Sequence, residues 1–509
     1  MCEINKFDII NIKSPIKIRP AVSFKINYRS KGKEIYDMEQ LIVNAIVVTV
    51  DPKRRILWDG AILVRNDRIA DLGSTEALKA KYPAPDHTID AAGKVIFPGF
   101  INNHTHLFQT LLKGIGDDME LSDWLSHMMF PASVYLEPED TYHAAMLGLS
   151  EALHSGVTTT VDYMHCHSKA GLTDGICHAV KDLGVRAIVG RGTMDTGVEY
   201  GTCADLCEKV SDVEADLHRL FKTYHNTANG RLKIWAAPSS MWSNSDEMLK
   251  MQWRVVNEYN AGFTVHISET KYARMATEWV HGCNDVDLLK KLGILGPNVL
   301  MVHCCWVNEQ DMELMRQYDM KVSHDVCSNM YLADGVAPVP EMLQKGITVG
   351  LGLDGAASNN AQDMIELMKI TAFQHKVRTL DPMAITAEKV LEMATIDGAR
   401  SIGMEQEIGS IEIGKKADLV FFDPAASQKS TPMHNPVSTL VYSSGMQNIT
   451  GVMVDGVMVL ENGQLTTVSD RSVIKNGQYT AEELCRRGKI SNRREGHKWE
   501  SFKVKKENQ

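Results

Sequence analysis

Apolar positions in this chain recur with two different periods, and the places where one gives way to the other divide it. From Leu41 the pattern is short and β-like: L-I-V-N-A-I-V-V-T-V, a D-P-K-R-R turn, then A-I-L-V-R-N-D-R-I-A-D-L-G. Brief strands joined by Asp, Asn and Gly turns predict a small sheet. A matching set stands near the other end, A-D-L-V-F-F-D at 417–423 and I-T-G-V-M-V-D-G-V-M-V-L-E-N-G-Q-L at 449–465. The two β-rich ends are expected to form one small sandwich, interrupted by a large central domain.

Between them eight brief apolar runs alternate with stretches of helical period, at 95–104, 156–163, 185–192, 232–238, 263–269, 299–305, 321–326 and 348–354. Eight strand–helix units over roughly 300 residues predict an α/β chain folded as a (β/α)8 TIM-like barrel. A doubly wound sheet would carry a Gly-rich phosphate fingerprint after its first strand, and none is present. Pro98 lies inside the first run, where a proline would ordinarily demote a strand; it is read as a bend between sandwich and barrel. The expected division is an N-terminal extension (1–39), the first part of the sandwich (40–94), the barrel (95–405), the second part of the sandwich (406–470) and a basic tail (471–509).

Composition narrows the function more than the fold. The 509 residues are 44% hydrophobic and 23% charged, ordinary for a soluble globular protein. No apolar run approaches the roughly 18–20 residues of a membrane helix, and the opening M-C-E-I-N-K-F-D lacks a signal-peptide layout. A cytoplasmic address without membrane attachment is the expectation. A formal charge of -10 argues against nucleic acid as a partner. The basic clusters at both ends, R-R-G-K, N-R-R and K-V-K-K among them, read as solvated tails. Ten scattered cysteines predict reduced thiols. Cys203 and Cys207 have no second pair at finger spacing and read as packing residues.

The candidate chemistry begins in V-I-F-P-G-F-I-N-N-H-T-H, where His104 and His106 stand two apart. Residues i and i+2 of an extended chain point to one side, so both imidazoles can grip one ion. His266, Glu269, His303 and Asp354 fall at or near the C-terminal ends of the fifth, sixth and eighth predicted strands, the catalytic rim of such a barrel. Histidines and a carboxylate from separate strands suit one divalent ion, Zn(II) first and Fe(II) second, with a position left open for water. Such an ion lowers the pKa of its water from 15.7 toward about 7, and Glu269, three residues past His266, can carry the proton. For the substrate, Gln109 can offer an amide to a ring nitrogen, Trp124 and Trp306 can stack on a flat heterocycle, and Asn329 is a fourth candidate. Each of the four has an alternative as a packing or loop residue.

The stretches P-G-F-I-N-N-H-T-H, H-I-S-E, V-H-C-C-W, S-N-M-Y-L-A-D-G-V-A-P-V-P-E-M and G-L-G-L-D-G-A-A-S-N-N carry a resemblance, as does 391–419. Together they resemble the amidohydrolase superfamily, in its branch of metal-dependent aminohydrolases that holds cytosine, guanine and adenosylhomocysteine deaminases and the triazine hydrolases. The resemblance implies His104, His106, His266 and Asp354 as metal ligands, Glu269 as proton shuttle and His303 as the group holding water or substrate. It also implies a small heterocyclic substrate and a homo-oligomer. The carboxylated lysine of two-metal relatives has no counterpart, since strand four ends in A-A-P-S-S and Lys233 lies near its start, so one metal is expected. The deaminase architecture with a P-C-x-x-C zinc site is absent, and Cys304 and Cys305 are expected to pack beside His303. The expected reaction is hydrolytic removal of ammonia from an amino-substituted purine, pterin, pyrimidine or s-triazine. Loss of chloride or an alkylamine from a triazine is the alternative, weakened by the Gly355-Ala356-Ala357 that follows Asp354. A non-catalytic scaffold is the alternative of another class.

Overall fold

The structure is a computed structural model that describes residues 38–491. Strands from both ends of that span hydrogen-bond into one nine-stranded sheet. Glu39–Val48, Ile56–Arg65 and Arg68–Ser74 form an antiparallel meander. Leu419–Phe422, Ile449–Val454, Val457–Glu461 and Gln464–Leu465 form a second. Val95–Pro98 joins the two, parallel to the first strand and antiparallel to Leu419–Phe422. Ile62 and Ile69 share a core with Met453 from the far side of this order, so the sheet folds over on itself as a sandwich does. Its hairpins turn at Asn66-Asp67, Asp455-Gly456 and Asn462-Gly463, with the positive φ that two-residue turns need at Asn66, Asp455, Gly456, Asn462 and Gly463.

The second sheet is eight parallel strands in sequential order. They are Phe100–Thr105, Val157–Met164, Arg186–Thr193, Leu232–Pro238, Phe263–Ile267, Val299–His303, Lys321–His324 and Val349–Leu351. The barrel closes where Asp354 N–H donates to His104 O at 2.9 Å and Leu353 N–H donates to Asn102 Oδ1 at 2.8 Å. Nearly every strand residue is buried on both faces, which is why the runs read as continuous rather than alternating. Ser245, Thr270, Asn284 and Asn308 cap the helices that follow strands four to six.

Two stretches differ from expectation. The run at 95–104 is two strands in two sheets, broken at Gly99, whose N–H donates to Asp418 O at 2.8 Å. A Cβ there would meet Thr158 Oγ1 at 2.1 Å, so the chain can change sheets only at a glycine. The basic stretch after 470 is not tail-like at its start: Asp470–Gly488 is a helix packed on the helix Pro138–His154, with Asp470 paired to His154 and Arg487 to Asp140. Its buried residues Val473, Gly477, Thr480 and Leu484 keep helical spacing under the charges. The expected extension up to residue 37 and the last part of the expected tail, 492–509, lie outside the described residues.

Under the barrel the two sheets are tied by Arg186, the first residue of strand three. Its guanidinium is buried between Asp418, reached by Nε at 3.1 Å, and Asp455, reached by Nη2 at 2.5 Å.

Candidate metal centre and active site

Strand one delivers His104 and, one residue past its end, His106, their rings edge to face at 4.6 Å. His106 Nδ1–H donates to Tyr163 O at 2.7 Å and His266 Nδ1–H donates to Ser239 O at 2.5 Å. Those carbonyls fix both tautomers and leave each Nε2 as a lone pair facing inward. The two Nε2 atoms approach to 3.3 Å, and burial, then His104 beside them, keeps both rings neutral by pushing their pKa values well below the ordinary histidine value.

Asp354 Oδ1 lies 3.5 Å from His104 Nε2 and 3.4 Å from His106 Nε2. Burial opposes its charge, but the neighbouring histidines outweigh burial and hold the carboxyl well below the usual carboxylate range. Both ring nitrogens of His104 are buried without a hydrogen-bond partner. Converging lone pairs, an ionised carboxylate and an unsatisfied imidazole are together what a divalent cation would satisfy. His104, His106 and His266 form one cluster of donor atoms within 4.8 Å of one another, and His104, His303 and Asp354 form a second. The residues therefore fit a metal ion.

Beside this cluster Glu269 Oε1 lies 3.6 Å from His303 Nε2. His303 Nδ1–H donates to Asn329 Oδ1 at 2.9 Å, which turns Nε2 toward the glutamate. Burial would lower the pKa of His303, but Glu269, Asp325, Asp354 and Asp334 raise it to about 9. Burial pushes the Glu269 carboxyl up against the pull of His303. The backbone is left-handed at Ser268 (φ 46°), His303 (φ 66°), Cys304 (φ 53°) and Asp354 (φ 56°). Non-glycine residues rarely adopt this region, and here it falls just at or past the ends of strands five, six and eight, beside the cluster.

His106, His266, Glu269, His303 and Asp354 of this cluster line one open cavity. Gln109 and Trp124 line it, and Trp124 Nε1–H donates to Ala357 O at 3.0 Å. Gln109 Oε1 is buried without a partner, wedged where a Cβ on Gly355 would meet it at 1.8 Å. The other two substrate candidates are placed elsewhere. Asn329 is buried behind His303, and Trp306 lies off the lining, with Nε1–H on Asp334 O at 2.7 Å and Lys271 Nζ 4.4 Å over its ring. Lys233 bonds Asn226 at the far end of strand four, and Cys304 and Cys305 are buried next to His303.

Sequence reasoning missed four groups. His165, at the end of strand two, lines the cavity with Nδ1 3.2 Å from His106 Nδ1; a histidine at a strand end was the signal that found His266. Asp325 accepts the His303 N–H at 3.3 Å, and it too follows a strand. Tyr163 and Ser239 act through backbone carbonyls, which no side-chain spelling reveals. An aromatic wall of Trp242, Tyr200 and Tyr272 comes from segments after strands four, three and five.

An inward-facing set of nitrogen and oxygen donors at the rim of a parallel barrel, with a buried Glu–His pair beside it, is an arrangement that fits a metal-dependent hydrolase. The chain belongs to the amidohydrolase family, whose model matches residues 95–459. A short match at 60–84 is to the imidazolonepropionase-like composite domain of bacteria. The chain is 35% identical over 426 residues to the 5'-deoxyadenosine deaminase of Methanobrevibacter smithii, covering 84% of this chain and 94% of that protein. It is 34% identical over 448 residues to the 5-methylthioadenosine/S-adenosylhomocysteine deaminase of Syntrophomonas wolfei, covering 88% and 99%. Among solved structures, an adenosine deaminase from Xanthomonas campestris with bound zinc matches with a TM-score of 0.81 at 26% identity, covering 88% of this chain and 98% of that one.

Proposed function

We propose that this chain is a hydrolytic deaminase of adenine nucleosides, replacing the amine at C6 of the purine with oxygen and releasing ammonia. The observation that carries this is the Glu269–His303 pair, 3.6 Å apart in the cavity lining beside the converging Nε2 atoms. The names of the two sequence relatives and of the solved structure given above refer to adenosine or its derivatives, and this supports the purine among the heterocycles considered.

His104, His106, His266 and Asp354 would hold the metal, for which we assign zinc on the mixed nitrogen and oxygen donor set. When bound, it would make hydroxide available near neutral pH, and its charge would lower the pKa of neighbouring acids. Glu269 takes the proton from the attacking water as the new bond to C6 forms, and delivers it to the adjacent ring nitrogen. His303, oriented by Asn329, donates toward the oxygen that develops charge. Glu269, ionised again, takes the remaining proton from the oxygen now on C6 and passes it to the amine; C6=O forms as the C6–N bond breaks, and ammonia leaves. The Gln109 amide faces the purine edge, and Trp124 packs along the wall.

Replacing Glu269→Gln keeps size and removes the proton carrier. The expected result is unchanged metal content with turnover of adenosine lowered by a factor of about 10² or more. Full turnover by this variant would refute the assignment.

A further inference from the structure

Among the described residues three carboxyls line the cavity, those of Glu269, Asp285 and Asp354, and the reaction proposed above uses only the first and the last. Asp285 opens the helix Asp285–Leu292 and is 2% exposed. A carboxyl so deeply buried is costly unless its oxygens are engaged, and both are. Oδ2 accepts the Ser268 N–H at 3.0 Å and the Ser268 Oγ–H at 2.5 Å, while Oδ1 accepts the Thr277 Oγ–H at 2.5 Å.

Ser268 is held from two further sides. Its hydroxyl accepts from Arg274 Nη1–H at 3.2 Å, and its carbonyl accepts the Trp306 N–H at 3.0 Å. Arg274 is fixed in turn by Asp311 Oδ2 at 2.9 Å. Every polar atom of Ser268 is thus engaged, and its backbone is left-handed (φ 46°), a region that a serine keeps only when its surroundings hold it there. Glu269 comes next in the chain. Among the described residues no hydrogen bond holds its carboxyl, since the 3.6 Å to His303 Nε2 is too long for one. Its aim is therefore set by the backbone on either side: Ser268 before it, and after it Thr270, whose hydroxyl accepts the Ala273 N–H at 2.9 Å and caps the helix Lys271–His281.

We infer that Asp285 is a positioning residue, which clamps Ser268 in its left-handed turn and thereby keeps the Glu269 carboxyl beside His303 and the metal cluster. The inference rests on the deaminase reading above for what Glu269 does, and on the geometry alone for where it stands. Without Asp285 the Ser268 N–H loses its acceptor, the strained turn relaxes toward the extended region, and Glu269 turns with it. A displacement of about 1 Å at a group that moves protons lowers the rate on the order of 10²-fold.

The full-length, zinc-loaded parent is compared with Asp285→Ala, Asp285→Asn, Glu269→Gln and the double variant Asp285→Ala with Glu269→Gln, by metal content, by ammonia release from adenosine and, for the parent and Asp285→Ala, by crystal structure. Asp285→Ala should keep its metal and lose about 30-fold or more in kcat, with KM within about threefold of the parent. Asp285→Asn, whose amide oxygen still accepts from Ser268, should regain most of that loss. The double variant should be within about threefold of Glu269→Gln alone, because the clamp acts only through the carboxyl that this variant lacks. In the crystal the Glu269 carboxyl of Asp285→Ala should stand about 1 Å or more from its parent position. A Glu269 carboxyl within about 0.5 Å of that position, or a double variant slower than Glu269→Gln by the full factor of Asp285→Ala, would overturn the clamp and leave the deaminase assignment standing. If Asp285→Ala does not fold, Asp285→Ser, whose hydroxyl falls short of the carboxyl's reach, takes its place in both readouts. A parent that releases no ammonia would overturn the deaminase reading, and the clamp then stands or falls on the position of Glu269 in the two crystal structures.

Discussion

Arg186 offers the sharpest test of how the two sheets are held together. The side chain is 1% exposed, and its guanidinium makes two bonds to Asp418 and one to Asp455. Asp455 has further cations in Arg231 at 3.3 Å and Lys416 at 3.7 Å. Asp418 is left with the Asp455 N–H, at 2.8 Å, once the guanidinium is gone. Arg186→Met keeps the length and apolar stem, so the loss is the charge and its fork of donors. Removing one partner of a buried pair costs about 3–5 kcal/mol, because the other charge is stranded away from water. Against a total stability of about 5–15 kcal/mol, that is a large fraction. Thermal unfolding of metal-loaded protein should show a markedly lower midpoint for Arg186→Met. Adding Asp418→Asn removes the stranded charge and still accepts the Asp455 N–H, so the double variant should recover about 2 kcal/mol or more of the loss. Activity below the transition should be kept, since Arg186 starts its strand and the catalytic groups stand at the other end of the barrel. A single variant within about 1 kcal/mol of the parent, or a double variant no better than the single one, would refute the account.

Chelating the metal should abolish ammonia release and lower the unfolding midpoint, and added zinc should restore both; stability unchanged on chelation would count against a cation held by His104, His106, His266 and Asp354. Burial pushes the Asp285 carboxyl up to about 6, against the donors of Ser268 and Thr277. A folded-state acid weaker than its unfolded form binds more protons when folded, so its contribution to stability falls as pH rises from about 4 to about 6 and is lost above. Asp285→Asn should therefore gain on the parent by roughly 3 kcal/mol across that window, read from unfolding midpoints as a function of pH; a constant difference would refute it.

The eight barrel strands were legible because each is a short run buried on both faces and bounded by polar turns. The change of sheet showed only as the bend read at Pro98; that Val95–Pro98 itself belongs to the other sheet did not show, since apolar residues continue on both sides of Gly99 and only pairing partners tell it. The helix Asp470–Gly488 was masked by its charges, though its buried stripe kept helical spacing. In the site, the side chains at strand ends could be named from spacing, and His165 and Asp325 answered to the same rule. Nothing in the spelling of Trp306 or Asn329 told that one stands off the cavity and the other behind a histidine. That depends on how the loops cross the barrel mouth, as do the left-handed turns at His303 and Asp354.

The strand Val95–Pro98 takes its antiparallel neighbour from Leu419–Phe422, about 320 residues later in the chain. At a synthesis rate of about 5–20 residues per second, that neighbour emerges roughly 15–65 s after it. During translation the first meander therefore waits with an open edge, while every barrel strand leaves the ribosome before the sheet beneath it can be finished. A nascent chain stalled before Asp418 would lack both carboxylates that Arg186 needs, so completion of the small sheet acts as a late checkpoint on the whole molecule.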